Sequence, residues 1–518
     1  MDAYHVALDL LPELAWLGLS IGDRHHHLLK AGQMVRDGAA AAIASGQPEK
    51  AVEWLEQGRS VIWGQFLNLR SPVDALERKH LNLAYQLVTL STQLEGSATR
   101  TTSESIQSGP KPSLQSVADQ AHRNAHARGE LLKEIRQLEG FERFLLPKTI
   151  SELSTAAQKG PVVILNIANY KCDALVLVPG LHDKVMHIPL NDFKPESAGS
   201  MAQSLGHIVG RSERLVTREG QMNPEDELAQ NLSQLWKQVV KPVLDELAIT
   251  TPAKLNLPRI WWCPTGPLAF LPIHAAGLYG KDDAFGSKLS DFVIPSYTPS
   301  LAALIESFRS PPKVQKALQL LAVAQPSAVG QTYIPGTRQE IDCIQQLTRG
   351  KLPVLRLDEH TATVEGVQQG MRDASWVHFA CHGVQNASKP TESALLLAGS
   401  ERLTLSKIIQ LALPHADLAF LSACQTATGD KKLEEESVHL AAGMQLAGYR
   451  GVIATMWTIR DNDAPQVASS VYEHLLKVSP PDPTRAAEAL HLAVRKLREE
   501  GSGYTPFSHW VPFIHIGV

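Results

Sequence analysis

The sequence predicts an α/β protein: a mostly parallel sheet with helices on both faces, preceded by an α-helical, repeat-like N-terminal region. Three observations carry this reading. From about residue 150 the chain repeats short, unbroken apolar runs, such as PVVILNI, ALVLVP, KVMHIPL, IWWCP, LLAVAQP, WVHFACHG, ALLLAG, LAFLSAC, VIATMW and FIHIGV. These are the strands of a sheet buried on both faces, since a strand with one wet face would alternate polar and apolar residues. Several of them alternate with amphipathic helical segments, the signature of parallel pairing. Before residue 150 the apolar positions recur at helical spacing instead.

The elements follow in order. Residues 1–95 read as the remnant of a helical repeat array. MVRDGAAAAIASG, the break GQP, and AVEWLEQGRSVIWGQFLNL make two antiparallel helices, the second with Val52, Leu55, Ile62, Phe66 and Leu69 on one face. A third helix carries Leu76, Leu83, Leu87, Leu90 and Leu94, without a clean period for the array. The Ser/Thr/Gly/Pro tract 96–116 reads as a linker or long loop, and 117–149 as a helical connector with Leu131, Leu132, Ile135 and Leu138. Residues 150–518 form the α/β unit, less regular over 150–255. Within it, Asn223-Pro224 caps a helix through Leu228, Leu232, Leu235, Val239 and Val243; others span 436–447 and run from Asp482-Pro483 to about 499.

Composition narrows the function classes. The length of 518 residues implies more than one domain, and 44% hydrophobic with 20% charged residues are globular values. Lysine plus arginine number 49 against 53 acidic residues, with no basic stripe, which argues against a nucleic-acid partner. Five cysteines (172, 263, 343, 381 and 424) lack CxxC spacing, which fits a reducing, cytoplasmic location better than a disulfide or zinc framework. The N-terminus reads as free of a leader, and no window carries an unbroken membrane-length apolar stretch.

Ligands of an open parallel sheet bind beyond the carboxyl ends of its strands. His382 stands at one such end, after SWVHFAC, and Cys424 at another, after LAFLSA. The segment between them is long enough for a crossover that makes the two strands parallel neighbours. That pairing suggests a Cys-His dyad, with the imidazole activating the thiol. Gly383, lacking a side chain, is a candidate to offer its amide to an oxyanion together with that of Cys424. Read singly, each has a plainer explanation: a buried cysteine filling space, and a His-Gly turn. Cys381 points to the other face with Val377 and Phe379 and is expected to be structural, and His378, deeper on the His382 face, a hydrogen-bonded core histidine. His25, His26 and His27 read as a solvated or capping cluster, because no partner with ligand spacing lies nearby. No GxSxG, HExxH, P-loop or GxGxxG motif is present.

HFACHG followed by LSACQTATG resembles the paired signature of the CHAT family, caspase-like domains attached to tetratricopeptide repeats. CPTGPLAFLPIHAA, IPSYTPSLAAL, HLAAGMQLAGYRGVIATMWTIRDNDA and HWVPFIHIGV resemble that family's flanking segments in the same order, over roughly 150–518. The helical start, with AVEWLEQGRSVIW, is similar to repeat-linked members in fungi. The resemblance implies a relative of caspases and separase with cysteine endopeptidase chemistry: His382 as catalytic histidine, Cys424 as nucleophile, Gly383 supplying an oxyanion amide, and no metal or organic cofactor. It also implies a pocket selecting the residue before the scissile bond. Asp461 or Asp463, after the ATMW strand, is a candidate to line it and favour a basic residue; the alternative is that one of them caps the helix through 464–476. GDKKLEEES at 429–437 reads as solvated surface or as a loop near the cleft. The partner expected is a protein, a substrate or a regulator docked on the helical region. The rival class is a protein-interaction or signalling scaffold that keeps the fold with a latent or inactive site; a hydrolase or acyltransferase acting on small thioesters with the same dyad is a third.

Overall fold

The structure is a computed structural model that describes residues 1–518 apart from 20, 29–30, 60, 72, 100–113, 212–222, 281–282, 310–317, 387–389, 424–439 and 500–504. The side chains at 21–22, 25–26, 62–63, 98–99, 114, 210–211 and 390 are likewise outside it.

Eleven strands form one sheet: β1 (Val162–Ile167), β2 (Cys172–Leu177), β3 (Met186–Pro189), β4 (Arg259–Pro264), β5 (Ile294–Tyr297), β6 (Leu320–Ala324), β7 (Val354–Asp358), β8 (Trp376–Ala380), β12 (Leu418–Ser422), β13 (Gly451–Thr455) and β14 (Phe513–Gly517). Between β8 and β12, three short strands make a separate sheet: β9 (Gly383–Val384), β10 (Ala394–Leu396) and β11 (Arg402–Thr404). The main sheet runs β3-β2-β1-β4-β5-β14-β13-β12-β8-β6-β7. Only β1–β2, β2–β3 and β13–β14 pair antiparallel; every other pairing is parallel.

The apolar runs account for this architecture. Along β8, Trp376 and Ala380 face one core, and Val377, Phe379 and Cys381 face the other. The ALLLAG run is the exception among those read from sequence: it enters the small sheet, where three short strands suffice to pair it. Strand β7 has no such run. As the outer strand it keeps VLRLD half-exposed, and Arg356 spans to Asp342 and Asp358.

The N-terminal helices include α1 (Ala31–Ala44), α2 (Pro48–Gly58), α3 (Val61–Leu69), α4 (Asp74–Lys79), α5 (Leu81–Thr99) and α6 (Leu114–Ile135). Helices α1 and α2 pack together across the turn at Gly46, whose φ of +72° suits glycine. Two expected single helices are broken in two. The first breaks at Arg59, which is extended and buried; its guanidinium donates to the Cys263 sulfur at 2.9 Å and the Pro264 carbonyl at 2.7 Å, at the end of β4. The second breaks at His80, whose amide closes α4 on the Leu76 carbonyl. The tract expected as a linker loses its ends to helix: α5 runs to Thr99 and α6 starts at Leu114, and the stretch between lies outside the described residues.

The helical region shares its core with the sheet. Leu8, Val35, Trp54 and Leu55 belong to one apolar cluster with Val163, Trp262 and Leu301. Glu56 adds a polar anchor: its buried carboxylate accepts the amides of Leu301 (2.9 Å) and Ala302 (2.8 Å), which open the helix Leu301–Ser307. Burial pushes the Glu56 carboxyl up, against those two bonds and the charge of Arg59. Arg70 donates to Glu95 and to the carbonyls of Leu446 and Ile409, tying α3 and α5 to helices over the sheet.

Helix Pro224–Leu235 has the expected cap, with Asn223 accepting from Glu225 N at 3.1 Å. Later helices are α7 (Gly336–Thr348), α8 (Leu440–Ala447), α9 (Ala464–Leu475) and α10 (Ala486–Glu499). Helices α7, α9 and α10 cover the Trp376 face, and α8 lies over the other, so both faces are layered.

Removing the Arg59 guanidinium leaves its buried acceptors at the end of β4 without their charged donor. Arg59→Ala is therefore expected to lower the unfolding free energy by about 1.5–3 kcal/mol in a urea titration. An unchanged midpoint would mean that the helical region docks without this contact.

Candidate active site

The site is built on the parallel pairing of β8 with β12. Phe420 lies opposite His378 and Ser422 opposite Ala380, so the chain leaves both strands at one level of the sheet. Strand β6 ends there too, with Ala324 opposite Ala380 and Gln325 N continuing the ladder to the Ala380 carbonyl at 2.9 Å. Cys424, two positions past Ser422 in sequence, lies outside the described residues, and so does the 429–437 segment.

His382 sits where the chain passes from the main sheet to the small one. Its carbonyl accepts Leu396 N at 2.9 Å, and Gly383 pairs with Leu395. The imidazole is buried, and Nε2 lies 2.8 Å from the carbonyl oxygen of Thr332. A carbonyl only accepts, so Nε2 must carry the hydrogen. In the neutral ring this leaves Nδ1 as the basic nitrogen, with its lone pair available. Burial lowers the His382 pKa below the ordinary 6.5, opposed by the Thr332 bond and by the negative charge of Asp461. The ring is thus neutral at pH 7, the state a general base needs.

Asp461 does not cap the helix that follows it. Its carboxylate accepts Gly336 N at 2.8 Å, capping α7 from across the site, and a Cβ at Gly336 would collide with it. Asp463 stands at the N-cap position of α9 but makes no side-chain cap; it pairs with His509 at 2.9 Å, because it is buried beside that imidazole.

A second layer supports the two strands. His378 is a hydrogen-bonded core histidine: Nε2 meets Glu340 Oε1 at 2.9 Å, Nδ1 is 3.4 Å from the Tyr472 hydroxyl, and the ring lies tilted against Phe420 with centroids 4.5 Å apart. The other Glu340 oxygen accepts the Ser422 hydroxyl at 3.0 Å. One buried carboxylate on α7 thus bridges β8 to β12. Thr455 on β13 donates to the Ala423 carbonyl at 2.6 Å, fixing the peptide that precedes Cys424 in sequence. Cys381 is buried in the opposite core.

Sequence reasoning missed Thr332, Glu340 and Thr455. Thr332 acts through its backbone, which no residue type announces. A signal existed for Glu340: His378 and Ser422 are polar residues on one face of otherwise apolar strands, and buried polar groups need partners.

The sequence model of the CHAT domain family matches residues 229–518, which hold β4–β14 and every residue named in this site. That match begins later than the expected boundary at 150. A search of curated proteins gave no match. Among solved structures, the separase–securin complex of Saccharomyces cerevisiae aligns at 12% identity and a TM-score of 0.49, covering 98% of this chain and 42% of that one. The complex of the pro- and mature domains of RgpB from Porphyromonas gingivalis aligns at 13% identity and a TM-score of 0.36, covering 62% of this chain and 76% of that one.

Two outcomes follow from this geometry. Asp461→Asn keeps an acceptor for Gly336 but removes the charge, so the His382 pKa is expected to fall further, as read by NMR titration; an unmoved value would show that the charge does not reach the ring. Glu340→Ala leaves His378 and Ser422 buried without their acceptor and is expected to cost about 1–3 kcal/mol for each group in denaturant unfolding.

Proposed function

The chain belongs to the CHAT domain family, and from that premise we propose that it is a cysteine endopeptidase of caspase-like fold, with His382 as base and Cys424 as nucleophile. The observation that carries this reading is the Nε2–H bond from His382 to the Thr332 carbonyl, which frees Nδ1 at the rim where β8 and β12 end together. Nδ1 takes the proton of the Cys424 thiol, and the thiolate sulfur bonds to the carbonyl carbon of the scissile peptide. The amides of Gly383 and Cys424 hold the resulting oxyanion. The C–N bond then breaks as the imidazolium returns its proton to the departing amine, leaving a thioester. Water, deprotonated by the same imidazole, attacks that thioester and releases the acid and the thiol. The sequence needs no metal or organic cofactor.

Asp461 supports a preference for a basic residue before the scissile bond, since it brings negative charge to the rim beside His382. One of its oxygens serves the Gly336 amide, which leaves the other for a substrate cation. Regulation through the helical region, read as tetratricopeptide-like, is part of the proposal. It is supported by the outer face of α5, where Leu81, Tyr85 and Val88 are exposed at helical spacing and offer a protein an apolar stripe. The cytoplasm is the compartment this reading assigns.

The test is labelling with an electrophilic peptide ketone carrying a basic residue at the reactive end, with the adduct mapped by mass spectrometry. Modification confined to Cys424 is expected, slowed about 10²–10⁴-fold in His382→Ala. The acid limb of the rate should lie at a lower pH than an ordinary imidazole would give, because burial lowers the His382 pKa. Slow, equal labelling of all accessible cysteines would favour the scaffold with a latent site. A label that reacts equally well with a neutral residue would remove the role of Asp461.

A further inference from the structure

The loop 325–335 joins β6 to α7 and supplies the Thr332 carbonyl that holds His382. It is closed on itself: Ile334 N donates to the Pro326 carbonyl at 2.9 Å, and Gln331 N to the Ala328 carbonyl at 3.0 Å. Near its tip Gly330 takes a φ of +77°, which only glycine adopts freely. Val329 N, beside it, donates to the Ser400 hydroxyl at 2.7 Å. Ser400 lies between β10 and β11 with a φ of +63°, in the left-handed region. A non-glycine residue held there is strained, and such strain persists only where the surrounding contacts enforce it.

This anchored loop carries two large apolar side chains into solvent: Val329 is 86% exposed and Tyr333 52%. The loop cannot fold them away without breaking the bonds that close it and pin it to Ser400. Their presentation is therefore fixed before anything binds, which lowers the ordering cost of binding. Arg338, within electrostatic reach of Tyr333, is paired with Glu359, so its guanidinium is engaged and the loop offers apolar surface.

Tyr333 is also close to the chemistry. The oxygen that meets His382 Nε2 at 2.8 Å belongs to the peptide bond between Thr332 and Tyr333. Backbone dimensions then place the Tyr333 Cα within about 6 Å of that nitrogen. Asp461 is bonded to Gly336, three residues further along the chain, so the charged and the apolar groups meet at one end of the loop. That end borders the place assigned above to the residue before the scissile bond. An extended peptide advances about 3.3 Å per residue. A side chain resting on Tyr333 and Val329 therefore lies within about three residues of the reacting carbonyl, on its amino side.

We propose that Val329 and Tyr333 form an apolar subsite that selects a large aliphatic or aromatic side chain shortly before the scissile bond. The substrate class is then a peptide that pairs a basic residue with a neighbouring hydrophobic one. This inference rests on the endopeptidase reading and adds a second requirement to the one assigned to Asp461.

The test uses the full chain and a set of peptide ketones that share a basic residue at the reactive end. They differ in one of the preceding residues, which is leucine or phenylalanine in one member and serine in the other. The rate of adduct formation at Cys424 is read by mass spectrometry. At one position the apolar member is expected to react about tenfold faster or more. That ratio should fall towards one in Tyr333→Ser and in Val329→Ser and persist in Tyr333→Phe. It should also persist in Lys133→Gln, a distant surface change on α6. Because the ratio is taken within each protein, a poorly folded variant loses both rates and leaves their ratio readable. Labelling confined to Cys424 and dependent on His382, without any apolar preference, overturns the subsite and leaves the endopeptidase reading standing. A preference that survives both serine variants overturns it as well. If no peptide labels Cys424 faster than the other cysteines, the endopeptidase reading fails and the subsite falls with it.

Discussion

The structure depends on the parallel, in-register pairing of β6, β8 and β12. Ala324, Ala380 and Ser422 end these strands side by side, so whatever follows them in sequence is delivered to one rim. Parallel pairing requires a crossover between neighbours, and the crossovers bury both faces. The same constraint that makes the strands mostly apolar also concentrates the polar residues beyond their ends. His382 lies past the last rung of β8, and its imidazole is oriented by the Thr332 carbonyl.

The strands buried on both faces were legible, since an unbroken apolar run has little other use in a chain of this composition. Strand β7 was not: at the sheet edge it keeps charged Arg356 and Asp358, and its pattern matches a loop as well as a strand. The helix breaks at Arg59 and His80 were hidden for a different reason. The apolar spacing continues through them, and only tertiary contacts decide that Arg59 leaves the helix to reach the end of β4. At the site, His382 was readable from its place after a strand. Its acceptor was not, because a backbone carbonyl in the loop before α7 has no residue identity. Asp461 illustrates the limit from the other side: an acidic residue just before a helix suggests a local cap, yet this one caps a helix distant in sequence.

The helical region is integral to the molecule. Arg59, Glu56 and Arg70 each reach into the α/β unit, and the apolar faces of α1 and α2 continue into its core. A force or partner acting on these helices therefore meets the sheet directly. The hairpin of α5 and α6 keeps a small core of its own, around Leu76, Leu87, Leu131 and Ile135, so it can respond to a contact more independently.

The Thr332 carbonyl that fixes the His382 tautomer carries a consequence for how such a site can change over generations. Where a side chain orients an imidazole, one codon can delete the orienting group. Here the acceptor belongs to the peptide unit, which every amino acid supplies, so substitution at position 332 leaves an oxygen in place. The orientation is buffered against point mutation and yields only to changes that reshape the loop, such as insertions, deletions or a proline. Among descendants of this sequence, the histidine's partner would be preserved as a position in space while the letter at that position drifts.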